Sequence, residues 1–362
     1  MWTGPAEPMA SVSLQLAARG HHVEVAADSR REGDVKERIR ALGLTLRNDL
    51  SLTTKGGPAS FLGDLRRLRR LASEFDILHA NFSNDHVLAL LAASLRRRCR
   101  VVRTVHSSRS LRSRGLQGWA HRATDGIVAV CEGHARILRD TFGVPPERVA
   151  AVRGAVDSTF FGPDGPDLRS ELGIPADAPV VGIVSRVKPD RRHAELLEAF
   201  LAVAGRLPGA RLVVVGRGEG LEEVRSRSES LGLSRSVVFA GYRSGAELAA
   251  AYRTFDAKVL LAEGNDATCR ALLEAMACGR PGIAYRFGAP AESVVDGDTG
   301  RLVSEGDVAA LAVAIEGVIA DRNRARAMGA RARERMQALY TEQARGAAVE
   351  EFFLRVQRLP RA

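Results

Sequence analysis

Residues 263–285 read EGNDATCRALLEAMACGRPGIAY, and their punctuation decides the fold. The stretch passes from strand end to loop, helix, turn and strand. Thr268 is of the type that caps a helix N-terminus, and residues 269–277 are good helix formers. Gly279 suits the left-handed position after the last turn, and Pro281 blocks continuation. Two acids stand eight positions apart, Asp266 in the loop before the helix and Glu274 about two turns along it. Between them the helix N-terminus offers unpaired backbone N–H groups and the positive end of its dipole, a ready site for a diphosphate. A carboxylate within such a helix can accept two hydrogen bonds from a ribose diol, each worth ~1.5–3 kcal/mol when charge-assisted.

Outward from this stretch, short apolar runs alternate with amphipathic segments, the pattern of βαβ units on a parallel sheet. In the second half, strands are predicted at 180–185, 211–216, 236–241, 257–262, 281–285 and 300–303. Helices are predicted at 193–207, 219–232, 245–254, 269–278, 307–320 and 322–340. Six strands alternating with helices make a Rossmann-like lobe. Residues 158–178, rich in Pro, Gly and Asp, mark a linker before it.

In the first half, strands are predicted at 21–28, 76–80, 101–106, 126–130 and 148–152. Met9, Val12 and Leu16 share one face of a helix that Gly20 ends. Over 61–74, Leu62, Leu65 and Leu68 share one face while Arg66, Arg67 and Arg70 take the other. The turn WTGPAEP enters the first helix directly, where a doubly wound domain ordinarily begins with a strand. That strand is expected to be absent or reduced to Met1 and Trp2, with the true start lying upstream. The last segment, 341–358, is amphipathic, with Val349, Phe352, Phe353 and Val356 on one face.

A chain of 362 residues fits two domains. Aromatic residues make up 5%, too few for the stacking platforms of single-stranded nucleic-acid binders, and no nucleic-acid partner is expected. The net charge of +10 is uneven. Residues 1–158 carry 25 Lys and Arg against 16 Asp and Glu, and the remainder carries 28 against 27. This excess fits ordinary solubility, or attraction to an anionic surface or acceptor such as a membrane leaflet or phosphorylated glycan. The four cysteines, Cys99, Cys131, Cys269 and Cys278, form no CxxC pair, so neither a zinc nor a redox motif is indicated and a reduced, cytoplasmic compartment fits best. The N-terminus does not read as a signal peptide. No stretch approaches the ~18 apolar residues of a membrane span.

The run Glu274, Ala275, Met276, Ala277, Cys278, Gly279, Arg280, Pro281, with an acid eight positions before Glu274, resembles the family 4 glycosyltransferases of the GT-B fold. The resemblance extends to GIVSRVKPDRRHAELLEAF (182–200), LVVVGRGEG (212–220), VVFAGY (237–242) and GAPAESVVDGDTGRLV (288–303). In the first half it rests on DILHANFSNDH, RTVHSS and TDGIVAVCEGHARIL. It implies an α/β fold of two Rossmann-like lobes with parallel sheets facing across a cleft. The acceptor-side lobe would be residues 1–158 plus a returning C-terminal helix, 341–362, and the donor lobe 159–340.

The resemblance also implies roles. Glu274 binds the nucleotide ribose, and Asp266 the donor sugar or its phosphate. Arg186 and Arg191 clamp the diphosphate and stabilise the leaving nucleoside diphosphate, with Lys188 nearby. Thr268, Cys269 and Arg270 line the donor site at the helix start, and Tyr242 and Arg243 lie near the nucleobase. His106 lies near the donor sugar, and Gly4 lets the first loop approach sugar or acceptor. The sequence departs from the family pattern where Asp266 replaces Glu, where Ala267 and Thr268 replace glycine-rich residues, and where Arg191 replaces Lys. Gly154, Ala155, Val156 and Asp157 stand for Asn-Gly-Val-Asp. These changes bear on sugar specificity and activity more than on fold.

Plainer readings stand beside each role. Glu274 reads alternatively as a solvated helix carboxylate, Asp266 as a turn cap, Arg186 and Arg191 as surface charges, and His106 as a structural histidine. His79 and His86 belong to that structural class. Residues 107–122 read as a solvated arginine-rich loop or as a dock for an anionic acceptor. GRGEG (216–220) lacks the spacing of a dinucleotide fingerprint. The leading expectation is a retaining transferase that moves a hexosyl group from a nucleotide-diphosphate sugar to a hydroxyl acceptor, anionic or lipid-linked. No DxD-type carboxylate pair is evident, and no metal or other cofactor is expected. The alternatives are a degenerate nucleotide-sugar-binding or partner subunit of the same fold, and a nucleotide-sugar epimerase.

Overall fold

The computed structural model describes residues 6–30, 33–52, 57–94, 98–112, 115–264 and 266–362, with the side chains of residues 266–268 outside that description. Gly4 lies outside the described residues. The chain divides into two compact units. Unit 1 holds the residues up to Gly154 together with Asn265–Ala267 and Glu342–Ala362, and unit 2 holds Ala155–Gly264 and Thr268–Thr341.

Unit 1 runs α1 (Ala6–Ala18), β1 (Glu24–Asp28), α2 (Asp34–Ala41), β2 (Thr45–Leu50), α3 (Gly57–Glu74), β3 (Ile77–Ala80), α4 (Ser83–Ala93), β4 (Arg100–Val105), α5 (Leu116–Arg122), β5 (Gly126–Ala129), α6 (Glu132–Asp140) and β6 (Val149–Ala151). All its strand pairs are parallel, but they form two sheets, β1-β2 and β3-β4-β5-β6. Among the described residues β1 pairs only with β2 and β3 only with β4. A doubly wound sheet of this connectivity places its first strand between these two edges; Met1 and Trp2, to which that strand was expected to be reduced, lie outside the described residues. The two edges begin close together: His22, before β1, stacks on Phe75, before β3, with ring centroids 5.5 Å apart.

Side chains bridge the break. Ala10 of α1 packs with Val25 of β1, while Val12 and Leu16 of the same helix pack with Val102 and Val128 of the larger sheet. On another side Leu68 and Leu71 of α3 cover both Leu50 of β2 and Leu78 of β3. The buried stripe of α3 is Asp64, Leu68, Leu71 and Ala72. Leu62, expected on that stripe, is instead 50% exposed. β2 had no counterpart among the expected strands. Its sequence, TLRNDL, is two-thirds polar and buries fully only Leu50.

Unit 2 runs β7 (Val180–Val184), α7 (His193–Arg206), β8 (Arg211–Val215), α8 (Leu221–Ser230), β9 (Val237–Gly241), α9 (Gly245–Thr254), β10 (Ala257–Leu260), α10 (Asp266–Ala277), β11 (Gly282–Tyr285), α11 (Gly288–Ser293), β12 (Gly300–Val303), α12 (Val308–Ile319) and α13 (Arg322–Leu339). All six strands join one parallel sheet in the order β12-β11-β10-β7-β8-β9. Helices on both faces bury its strands, which explains their near-continuous apolar runs. α14 (Glu342–Arg358) follows and packs in unit 1. Its Val349, Phe352 and Val356 join Val12, Leu16 and Val128.

The helix of the opening stretch begins at Asp266, not after it. Asp266 is therefore its first residue rather than a loop residue, and Thr268 lies inside the first turn rather than capping it. An acid in the first turn complements the helix dipole. The helix ends as expected: Gly279 has φ +72°, its N–H donates to Met276 O at 2.9 Å, and Arg280 N–H donates to Ala275 O at 2.9 Å, the paired bonds of a Schellman motif.

Candidate functional site

The sheet of unit 2 has one place where strand order reverses. From β7 the chain winds outward to β8 and β9, then returns to the other side of β7 as β10, with Ala257 opposite Val181. Ligands of open α/β sheets bind beyond the strand ends at such a switch point. The loops that follow β7 and β10 therefore define the candidate site. The first carries Arg186, Lys188 and Arg191, and the second leads into α10.

The loop after β8 lies directly on the loop after β7. Val187 N–H donates to Arg217 O, and Gly220 N–H to Val187 O, each at 3.1 Å. A Cβ on Gly216 would stand 1.9 Å from Ser185 O, and one on Gly218 would stand 2.1 Å from Val187 O, so only glycine allows this approach. The contact brings Glu219 to Lys188, Nζ to Oε1 3.0 Å. Its own backbone N–H and the Lys188 ammonium, helped by Arg186, hold the Glu219 carboxyl below the usual carboxylate range. Arg186 is exposed, whereas the Arg191 side chain is largely covered and lies 3.7 Å from Asp190. Next to them His193 is buried at the start of α7, with Nε2 3.2 Å from Ser185 Oγ. Burial, then the Lys258 and Arg191 charges, push its imidazole down to about 4, so it is neutral at pH 7.

Glu274 is 7% exposed. The Tyr252 hydroxyl donates to its Oε2 at 2.7 Å, and Arg270 Nε lies 3.4 Å from its Oε1. Lys258 of β10 is fully buried, and its ammonium donates to Val259 O at 2.6 Å. Burial pushes it down to about 7, against the pull of the Glu274 carboxylate. Cys269 is also buried, with Sγ 3.7 Å from Ser293 Oγ. The plainer reading of Glu274 as a solvated carboxylate is thereby set aside: a buried acid needs partners, and it has an aromatic hydroxyl and two cations around it. The side chains of Asp266 and Thr268 lie outside the described residues.

After β9, Tyr242 is 58% exposed, and the Arg217 guanidinium sits 4.6 Å from its ring centroid. Arg243 is held differently, donating to Ala240 O at 3.0 Å and pairing with Glu171. In unit 1, His106 follows β4 and its Nε2 lies 3.0 Å from Asn81 Oδ1. Asp85 accepts from the backbone N–H groups of Asn81 (3.2 Å) and Phe82 (2.8 Å). Behind it stands buried Arg103, 3.6 Å from Asp85, its guanidinium pushed down to about 10 by burial. His79 and His86 are structural as expected. They meet Thr104 and Thr124 hydroxyls at 2.7 and 2.6 Å, and burial holds both near 3.

Residues 164–335 match the family described as Glycosyl transferases group 1, and residues 9–160 match Glycosyltransferase Family 4. Over 308 residues the chain is 31% identical to the GDP-mannose-dependent alpha-(1-6)-phosphatidylinositol monomannoside mannosyltransferase of Mycolicibacterium smegmatis, covering 79% of this chain and 78% of that relative. The chain belongs to glycosyltransferase family 4. The D-inositol 3-phosphate glycosyltransferase of Acidothermus cellulolyticus is 26% identical over 341 residues, 85% of this chain and 76% of its own. Two solved structures share the GT-B fold. A glycosyltransferase from Rickettsia africae superposes with TM-score 0.82 at 16% identity, covering 99% and 97% of the two chains. Anabaena Alr3699/HepE in complex with UDP and glucose gives 0.78 at 20% identity, covering 97% and 96%.

In this transferase, sequence reading alone singled out neither Tyr252, Lys258, Glu219 nor Asn81. Tyr252 reads as one more core aromatic, and Lys258 is the only hint among them, a charge inside a strand buried on both faces.

Proposed function

We propose that the chain is a retaining hexosyltransferase that takes its sugar from a nucleoside diphosphate donor bound at the switch point of unit 2. The observation that carries this reading is the buried Glu274 carboxylate on α10, the helix that follows β10, whose sheet neighbour β7 leads into the loop bearing Arg186, Lys188 and Arg191. Glu274 receives the ribose diol, and the N-terminus of α10 receives the diphosphate. Arg186, Lys188 and Arg191 supply counter-charge as the nucleoside diphosphate leaves. The acceptor is a hydroxyl on an anionic, inositol-phosphate or lipid-linked molecule. Two features support this: the relatives' own names, and the basic first half with exposed Arg66, Arg67, Arg69 and Arg70 on α3. Work at the inner membrane face fits that acceptor. No helix among the described residues is long and apolar enough to cross a membrane.

A thermal-shift panel of GDP- and UDP-sugars tests the donor. The bound donor raises the melting midpoint by mass action, about 2.7 kcal/mol of stability at a hundredfold excess over Kd. No shift with any nucleotide sugar defeats the proposal. Arg186→Ala is expected to lower kcat by about 10- to 100-fold with little change in melting midpoint, because the side chain is exposed and an electrostatic contact to the leaving group is lost. Wild-type turnover removes Arg186 from the clamp. Treatment with EDTA is expected to leave turnover unchanged, since the cations are supplied by side chains. Loss of activity restored by a divalent ion contradicts that. The division of unit 1 into two sheets among the described residues favours one second reading, a subunit that binds nucleotide sugar without transferring it. Saturable donor binding with neither transfer nor hydrolysis identifies that case.

A further inference from the structure

A tyrosine in a core needs a partner for its hydroxyl. The Tyr252 ring is fully buried on α9, edge-on to Phe161 and Phe255 at 5.9 and 6.2 Å. Its hydroxyl reaches through that apolar layer to Glu274 Oε2 at 2.7 Å, from a different helix. The carboxylate is thus gripped from the core side at one oxygen, while the other lies toward Arg270, one turn nearer the N-terminus of α10. Burial and the Glu274 charge keep the phenol protonated, so it is a donor at every working pH. An ionised carboxylate has about four acceptor sites, and the tyrosine uses one of them.

We propose that Tyr252 is a positioning residue for the donor: by holding Glu274 Oε2 it fixes the carboxylate in the one orientation that meets both hydroxyls of the ribose. The inference rests on the reading of Glu274 as the ribose-binding group. Without the grip, the glutamate must be ordered each time a nucleotide binds, and affinity falls. Phenylalanine keeps the ring and its packing while removing only the hydroxyl. The loss should therefore appear in recognition of the diol and nowhere else.

The test compares GDP and UDP with their 2′,3′-dideoxy counterparts on the full chain, by calorimetric titration, for wild type, Tyr252→Phe, Glu274→Gln and the double variant. Wild type is expected to prefer the ribose form of whichever base it binds. Tyr252→Phe should lose about tenfold of that preference while binding the dideoxy form as wild type does. In the Glu274→Gln background the same change should have little further effect. Two results overturn the inference alone: equal loss for ribose and dideoxy forms, which marks a general packing defect, or an undiminished preference in Tyr252→Phe. A wild-type chain that binds nucleotide but ignores the diol, or binds none, overturns the reading of Glu274 and this inference with it. Circular dichroism and melting midpoints of the four proteins show that each comparison is made on folded chains.

Discussion

Glu274→Ala is expected to weaken nucleoside diphosphate binding by ~2–4 kcal/mol, a loss of roughly 30- to 1,000-fold in affinity. The size follows from the kind of contact removed. Two charge-assisted hydrogen bonds to a diol disappear, and the nucleotide's hydroxyls enter a place where little water can follow. The fold should also suffer, because the Tyr252 hydroxyl loses its acceptor and the Lys258 ammonium loses the anion that favours its charge. A buried donor left without partner costs about 1–3 kcal/mol. Glu274→Gln separates the two effects, since the amide oxygen still accepts from Tyr252 while the negative charge is gone. Calorimetric titration with GDP and UDP measures the outcome. Wild-type affinity in the Ala variant would take Glu274 out of the site.

The second large effect concerns Lys258, where an apolar residue should fold better than the native one. A fully buried ammonium is costly, and the attraction of the Glu274 carboxylate does not offset that cost: burial wins, and the group is pushed down to about 7. The sign of the pH dependence follows. Above the usual lysine range both folded and unfolded chains carry a neutral amine, and burial costs little. Between about 10.5 and 7 the unfolded chain holds a proton that the folded one has released, so stability falls as pH is lowered. Below 7 both are protonated and the full penalty applies. Lys258→Met keeps a linear side chain and removes the charge. It should stabilise the chain at pH 6–7, by about 1–3 kcal/mol once the lost attraction to the Glu274 carboxylate is set against the removed burial cost, with the gain fading toward pH 10. Denaturant midpoints at several pH values, compared between the two proteins, measure it. A gain that grows with pH contradicts the argument. Of the groups facing Lys258, His193 is held near 4 and does not titrate in this window, while Glu274 loses a favourable neighbour. Nucleotide affinity should accordingly drop a few-fold even as the protein becomes more robust.

Much of this was legible in the sequence, for a physical reason that also marks the limits. Strands buried on both faces must be apolar throughout, so VVGIV, RLVVV and VVFAG announce themselves, and all six strands of unit 2 fall where expected. β2 sits at a sheet margin, keeps polar residues on its open faces, and has no such signature. Leu62 shows the same limit for helices. A three-residue spacing matches two phases of the same pattern, and only the packing of Asp64, Leu68 and Leu71 picks one. At the candidate site, Glu274 could be identified from spacing along one helix. Its supports could not. Tyr252 comes from α9 and Lys258 from β10, and no local pattern says that three segments meet at one carboxylate. The same holds for Asn81, which reaches His106 only because β3 and β4 are neighbours.

The interruption in unit 1 has a mechanical meaning. In unit 2 a push on any strand is passed to its neighbours through an unbroken hydrogen-bond ladder, so the donor loops rest on a stiff plate. Among the described residues unit 1 has a seam instead, spanned by leucines, valines and an aromatic stack rather than by hydrogen bonds between strands. Relative sliding of its two sheets is opposed by side-chain packing alone, whereas sliding within the sheet of unit 2 would break hydrogen bonds between strands.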